Sequence, residues 1–179
     1  MMKLYWSDIL DLNFPSNNVD CLSLERIKYL ESIKNEKRKK QSYFVWKLLE
    51  YVLGINNISC EFLVNENGKW QAKNNEIYFS LSHSENIVAV VIDDNIVGVD
   101  IEKVDEKINK IKKKILTNIP TDVSTCELTR LWTENESRYK SCKDFYTNSW
   151  IILDKLSNKY VLTVSSNYKS CCDPICVKL

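Results

Sequence analysis

Between residues 77 and 101 the chain offers three strand-length segments, Ile77–Leu81, Ile87–Ile92 and Ile96–Ile101. The first two are joined through Ser82-His83-Ser84, and Asp93-Asp94-Asn95 turns the chain into the third. Connections this short join antiparallel neighbours, because a parallel pair needs a crossover of about a dozen residues or more. Three consecutive strands at mid-chain, in sheets that are mostly antiparallel, are therefore the feature any fold must accommodate. Ile87–Ile92 is the longest apolar run, and it is far short of the ~18 residues that cross a bilayer as a helix.

Around this centre, helical and extended patterns alternate. Lys3-Leu4-Tyr5-Trp6 begins a strand, and Pro15 lies in a loop over 13–18. Leu24, Ile27, Leu30 (or Tyr29) and Ile33 recur at helical spacing. Phe44, Leu48, Tyr51 and Val52 line a second helix over about 36–53, with Gly54 as its stop. Residues 59–64 read as a strand and Asn65-Glu66-Asn67-Gly68 as a turn. Beyond the meander, 104–116 reads as a helix and 118–124, with Pro120, as a break. A second strong helix covers about 126–143, with Leu128, Leu131, Trp132 and Tyr139 as its apolar side. Strands follow at Trp150–Leu153, Tyr160–Val164 and Ile175–Val177. This order gives an α+β fold with mostly antiparallel sheets. It divides into two α+β halves, 1–100 and 101–179, that form one structural unit.

Charge excludes some classes of function. Against 25 Lys+Arg stand 24 Asp+Glu, so nothing argues for non-specific nucleic-acid binding. The clusters Lys34–Lys40 and Lys107–Lys114 are solvated helix faces or attractors of an anionic ligand or acidic partner. The 7 cysteines are an odd number, and Met1–Trp6 lacks the apolar core of a signal peptide. Free thiols in a cytoplasmic, soluble protein are the expectation, with no membrane partner.

Chemistry concentrates in a few places. Asp100 and Glu102 stand at i, i+2, so in a strand both carboxylates point the same way. Like charges that close need a cation or hydrogen-bond donors, and a hard divalent cation suits oxygen ligands. His83 is the only histidine. On the helix, Trp132, Glu136 and Lys140 follow at i, i+4, i+8 along one face, with Trp132 expected to anchor in the core. Taken alone, Glu136 and Lys140 would be an ordinary helical ion pair, and Lys69 an ordinary turn lysine.

Three segments together resemble the 4'-phosphopantetheinyl transferases of the surfactin-synthetase-activating type. Gly68-Lys69-Trp70 stands in place of a Gly-Lys-Pro turn. Phe79-Ser80-Leu81-Ser82-His83-Ser84, followed by Val97-Gly98-Val99-Asp100-Ile101-Glu102, matches the central signature. Trp132-Thr133-Glu134-Asn135-Glu136-Ser137-Arg138-Tyr139-Lys140 matches the third except at Asn135, where the family has lysine. The stretch before that helix is short, so the second half is trimmed.

The resemblance implies a fold of two pseudo-symmetric α+β halves, with helices packed against the sheets, in a monomer. It implies transfer of the phosphopantetheine arm of coenzyme A to a serine of an acyl or peptidyl carrier protein, with release of 3',5'-ADP. Asp100, Glu102 and Glu136 would hold Mg²⁺. Glu136 and Lys140 would be catalytic, Glu136 as the base. Lys69, Ser82, His83 and Lys140 would contact coenzyme A. A basic residue among Lys37, Arg38, Lys39, Lys40 and Lys47 would add a 3'-phosphate contact. The alternative is a degenerate, non-catalytic binder of coenzyme A or of the carrier.

Overall fold

The computed structural model describes residues 2–15, 22–66, 68–73, 77–108, 110, 122–169 and 171–179. The order is β1 (Lys3–Asp8), α1 (Leu24–Ser32), α2 (Glu36–Ile55), β2 (Phe62–Val64), β3 (Trp70–Ala72), β4 (Tyr78–Ser84), β5 (Ile87–Asp93) and β6 (Gly98–Lys103). Then come α3 (Thr125–Ser141), β7 (Tyr146–Leu153), β8 (Lys159–Ser166) and β9 (Ile175–Cys176). The expected helix over 104–116 falls largely outside the described residues.

The protein is α+β. A four-stranded sheet runs β4-β5-β1-β9, a three-stranded sheet runs β6-β8-β7, and β2-β3 form a small hairpin. All pairings are antiparallel except β9 beside β1. The β4-β5 hairpin pairs Ser84 with Ile87, and its tight reversal is made by Glu85 at φ 49. No helix among the described residues is long and apolar enough to cross a membrane.

Every residue of β5 is buried because both faces of its sheet are covered. Val88, Val90 and Ile92 pack with Leu48, Leu49 and Val52 of α2. Ile87, Ala89 and Val91 meet Val99, Ile101, Leu162 and Val164 of the second sheet. The layers are thus helix, sheet, sheet, helix, with α3 on the outer face of β6 and β8.

Caps set where the helices begin. Ser23, Asn35 and Ser124 each accept the backbone N–H three residues on. Gly54 is not the stop of α2: the helix continues to Ile55, and Asn57 takes the left-handed turn at φ 55. An asparagine tolerates that conformation, so the glycine is not needed for it. Tyr51, expected on the apolar side, is exposed. In α1 the expected stripe holds at Ile27, Leu30 and Ile33, which pack on the core, but not at Leu24. Leu24 is 72% exposed, whereas Arg26 is 2% exposed beside buried Leu30.

The third helix departs most from expectation. Trp132 does not anchor in the core, and Tyr139 is 79% exposed. The buried side is Leu128, Thr129, Thr133, Ser137 and Ser141. Small hydroxyl side chains let the helix approach closely. A Cβ on Gly98 would lie 2.0 Å from the Ser137 carbonyl oxygen and 2.8 Å from the Ser141 amide nitrogen. Bulky residues cannot occupy so narrow a space, so they turn outward.

Candidate active site

β4 and β6 are the facing edges of the two sheets, and serine side chains join them. The backbone N–H groups of Val99, Ile101 and Lys103 donate to Oγ of Ser80, Ser82 and Ser84 at 3.1, 3.3 and 3.1 Å. Both sets alternate at period two, so they meet along one face. A hydroxyl here does what a backbone carbonyl does inside a sheet, and the N–H groups on the otherwise open edge of β6 are satisfied.

This seam carries the acidic residues. Ser82 Oγ donates to Asp100 Oδ1 at 2.8 Å, and Ser84 Oγ donates to Glu102 Oε2 at 2.8 Å. Lys140 reaches in from the last turn of α3. Its Nζ donates to Asp100 Oδ1 at 2.7 Å, Ser82 Oγ at 3.0 Å and the Val99 carbonyl at 3.0 Å. Lys140 therefore pairs with Asp100 across the seam. The Ser82 hydroxyl has its proton and both lone pairs engaged within the protein. A ligand contact there would have to displace one of these bonds.

The carboxylates are short of compensating charge. Burial pushes the Glu102 carboxyl up to about 7, and nearby Asp100 and Glu136 add to the rise while Ser84 and Lys140 oppose it. Glu136 is raised as well, first by burial and then by Asp100. Asp100 Oδ2 is buried without a hydrogen-bond partner. Among the described residues no group of three or more His, Cys, Asp or Glu is gathered tightly enough to hold a metal ion as the side chains stand. In kind, however, the donor set fits a hard divalent cation. Asp100, Glu102 and Glu136 supply carboxylate oxygens, one of them unpartnered, in a charge environment that a cation would relieve.

Residues of β4 line two cavities. The larger, about 700 Å³, is lined by Lys69, Trp70, Phe79, Leu81, Tyr139 and Lys140 among others. Lys69 Nζ donates to the Lys140 carbonyl at 2.6 Å, so it caps the C-terminal end of α3. Burial lowers the Lys69 pKa from its ordinary value. The smaller cavity, about 360 Å³, is lined by Tyr29, Lys34, Asn35, Arg38, Ser42 and His83 among others, with no acidic residue. Burial, with Lys140, Arg38 and Arg26 nearby, lowers the His83 imidazole to about 4. At neutral pH His83 is uncharged.

The structure fixes the register that the sequence left open on α2. Of the five basic residues considered there, Arg38 lines the His83 cavity. Lys37 pairs with Glu85, Lys39 lies over Phe14, Lys40 donates to the Leu10 carbonyl, and Lys47 pairs with Glu50. By sequence Lys34 is only part of the basic cluster 34–40, and Ser42 and Arg26 are not singled out. The available signal was spacing: Lys34, Arg38 and Ser42 recur every four residues.

Asn135 is exposed on α3. Cys126, Cys142, Cys171, Cys172 and Cys176 are free thiols, and burial pushes the Cys171 thiol up to about 12. The chain matches no protein-family model and no curated protein.

Proposed function

We propose that the protein is a Mg²⁺-dependent 4'-phosphopantetheinyl transferase that modifies a serine of an acyl or peptidyl carrier protein. One observation carries the reading. Lys140 of α3, Asp100 of β6 and Ser82 of β4 meet in one hydrogen-bonded group. Lys140 itself lines a larger cavity with Lys69, and His83, next to Ser82 in β4, lines a cationic one. Residues from the three motifs thus surround a single place suited to a long ligand with separated phosphates. Layered α-on-sheet halves joined at a seam also suit a pseudo-symmetric transferase fold.

In this reading Lys34, Arg38, Ser42 and His83 receive the 3'-phosphate of coenzyme A. Lys69 and the aromatic walls beside it receive the nucleoside. The Lys140 ammonium contacts the diphosphate as a point charge. Asp100, Glu102 and Glu136 would hold Mg²⁺, which when bound would supply neutralising charge for the diphosphate and the leaving group. Glu136, its proton affinity raised, accepts the proton of the carrier serine hydroxyl. The serine oxygen forms a bond to the phosphorus on the phosphopantetheine side. The bond from that phosphorus to the bridging oxygen breaks, and 3',5'-ADP leaves with the electron pair. Positioning and charge stabilisation supply most of the rate.

Incubation with coenzyme A, Mg²⁺ and candidate carriers, followed by mass spectrometry, is expected to show the added arm. Glu136→Ala should lower the transfer rate at least ~100-fold with the circular dichroism unchanged. Full activity in that variant would remove Glu136 from the site. A second reading, a non-catalytic binder, is favoured by Asn135 in place of the family's lysine. Tight calorimetric binding of coenzyme A with no product on any carrier would select it.

A further inference from the structure

Arg26 is a buried cation met by aromatic faces. Its guanidinium carbon lies 4.6 Å from the ring centre of Trp46, 4.9 Å from Tyr29 and 5.7 Å from Trp70. Its Nε is buried with no hydrogen-bond partner. Burying a charge without a carboxylate contact is costly, and ring faces offset only part of that cost. Among the described residues, the bonds that the Arg26 side chain does make go to a single residue. Nη2 donates to the Ser42 carbonyl and, at 2.8 Å, to Ser42 Oγ.

Ser42 stands one helical turn after Arg38 on α2, and both line the His83 cavity. A serine inside a helix ordinarily donates its hydroxyl proton to the carbonyl four residues back. Ser42 makes no such bond among the described residues; its oxygen accepts from Arg26 instead. A hydroxyl that has accepted from a guanidinium still holds one proton to give. The cavity that it lines holds Lys34, Arg38 and His83 and no carboxylate.

We propose that Arg26 is a positioning residue for phosphomonoester recognition: by occupying the acceptor side of Ser42, it leaves the Ser42 hydroxyl to donate to a phosphate in the His83 cavity. This rests on the functional reading above, which puts the 3'-phosphate there. Arg26 touches no ligand itself. It acts through Ser42, and the aromatic rings keep its guanidinium on the two Ser42 oxygens. Lys34 and Arg38 supply charge, and the serine supplies direction.

The test is calorimetric titration of the full chain with adenosine 3',5'-bisphosphate and, separately, adenosine 5'-monophosphate. Ser42→Ala and Arg26→Met are each expected to lose about tenfold in affinity for the bisphosphate. Neither should change the affinity for the monophosphate, and the double variant should lose no more than either alone. The ring-proton resonance of His83, the only histidine, should move when the bisphosphate saturates the wild type.

Wild-type affinity for the bisphosphate in Ser42→Ala, or in an Arg26→Met that circular dichroism shows to be folded, overturns the proposal. So does additivity of the two losses, or an unmoved His83 signal. If Arg26→Met does not fold, Arg26→Lys replaces it. A lysine keeps a cation on the rings but lacks the guanidinium fork, so its affinity should fall between wild type and Ser42→Ala; an affinity equal to wild type overturns the proposal. A wild type that binds neither nucleotide overturns the functional reading and this proposal with it. Normal wild-type binding with indifferent variants overturns this proposal alone.

Discussion

The two helix-on-sheet layers are held together by different means. On the first sheet α2 buries bulk: Phe44, Trp46, Leu48, Leu49 and Val52 fill the space over β5, with Trp46 edge-on to Phe62 and Trp70. On the second sheet α3 buries hydroxyls. Thr133 Oγ1 meets Thr163 Oγ1 at 2.7 Å, Ser141 Oγ meets Ser165 Oγ at 3.3 Å, and Gly98 admits the helix backbone. The first arrangement is a hydrophobic core that tolerates small shifts. The second gives up apolar area for closeness, and closeness brings Lys140 onto Asp100. The supporting layer is built for burial, and the layer that carries the candidate site is built for position.

Substitutions can break this contrast. Gly98→Ala should have the largest effect, about 3 kcal/mol or more by chemical denaturation, because the new methyl meets helix backbone that no rotamer can move. On the proposed function it should also abolish coenzyme A binding, by lifting Lys140 away from Asp100. Leu48→Ala, at a fully buried position of α2, should cost about 3 kcal/mol yet, on the proposed function, leave coenzyme A affinity close to wild type. Equal loss of binding in both variants would mean that the two layers are not separable.

The next effect depends on pH. His83 titrates near 4 in the folded protein, below the ordinary ~6.5 of an unfolded chain. The unfolded state therefore takes up the proton first. The stability that neutral His83 contributes is present above pH ~6.5 and is lost as pH falls through 4. His83→Asn should remove that loss, on the order of 2 kcal/mol, in denaturation compared at pH 7 and pH 4. The smallest effect should come from Thr133→Val. It removes one partner of Thr163, which keeps Ser149 at 2.8 Å, and should cost about 1 kcal/mol. A loss as large as that of Leu48→Ala would show that hydroxyl packing is worth as much as apolar bulk.

Local pattern made much of the molecule legible. The β4-β5 hairpin follows from apolar runs and turn residues, and the α+β order follows from the alternation of periods. β6, although joined to β5 by a short turn, leaves for the second sheet and pairs with β8. The serine alternation at 80, 82 and 84 was also on view in the sequence. Its partner was not, because side-chain hydroxyls bonded to a distant strand's N–H groups leave no mark on that strand's composition. Trp132 was misplaced for a related reason. Helical spacing tells which residues share a face, and hydrophobicity usually tells which face turns inward. Here the width of the gap at Gly98 decided instead, and only small residues fit it.

The sequence by itself therefore determined the extended centre, the capped helices and the chemical kinds of group available: paired carboxylates, one histidine and a lysine on a helix. Tertiary structure alone decided that Lys140 bonds to Asp100, that Arg38 rather than Lys37, Lys39, Lys40 or Lys47 lines the His83 cavity, and that Arg26 is buried against Ser42. The reason is physical. Periodicity and caps act over a few residues and are written locally, whereas hydrogen bonds across a seam and cations among rings depend on which distant segments are brought within about 3–6 Å of each other.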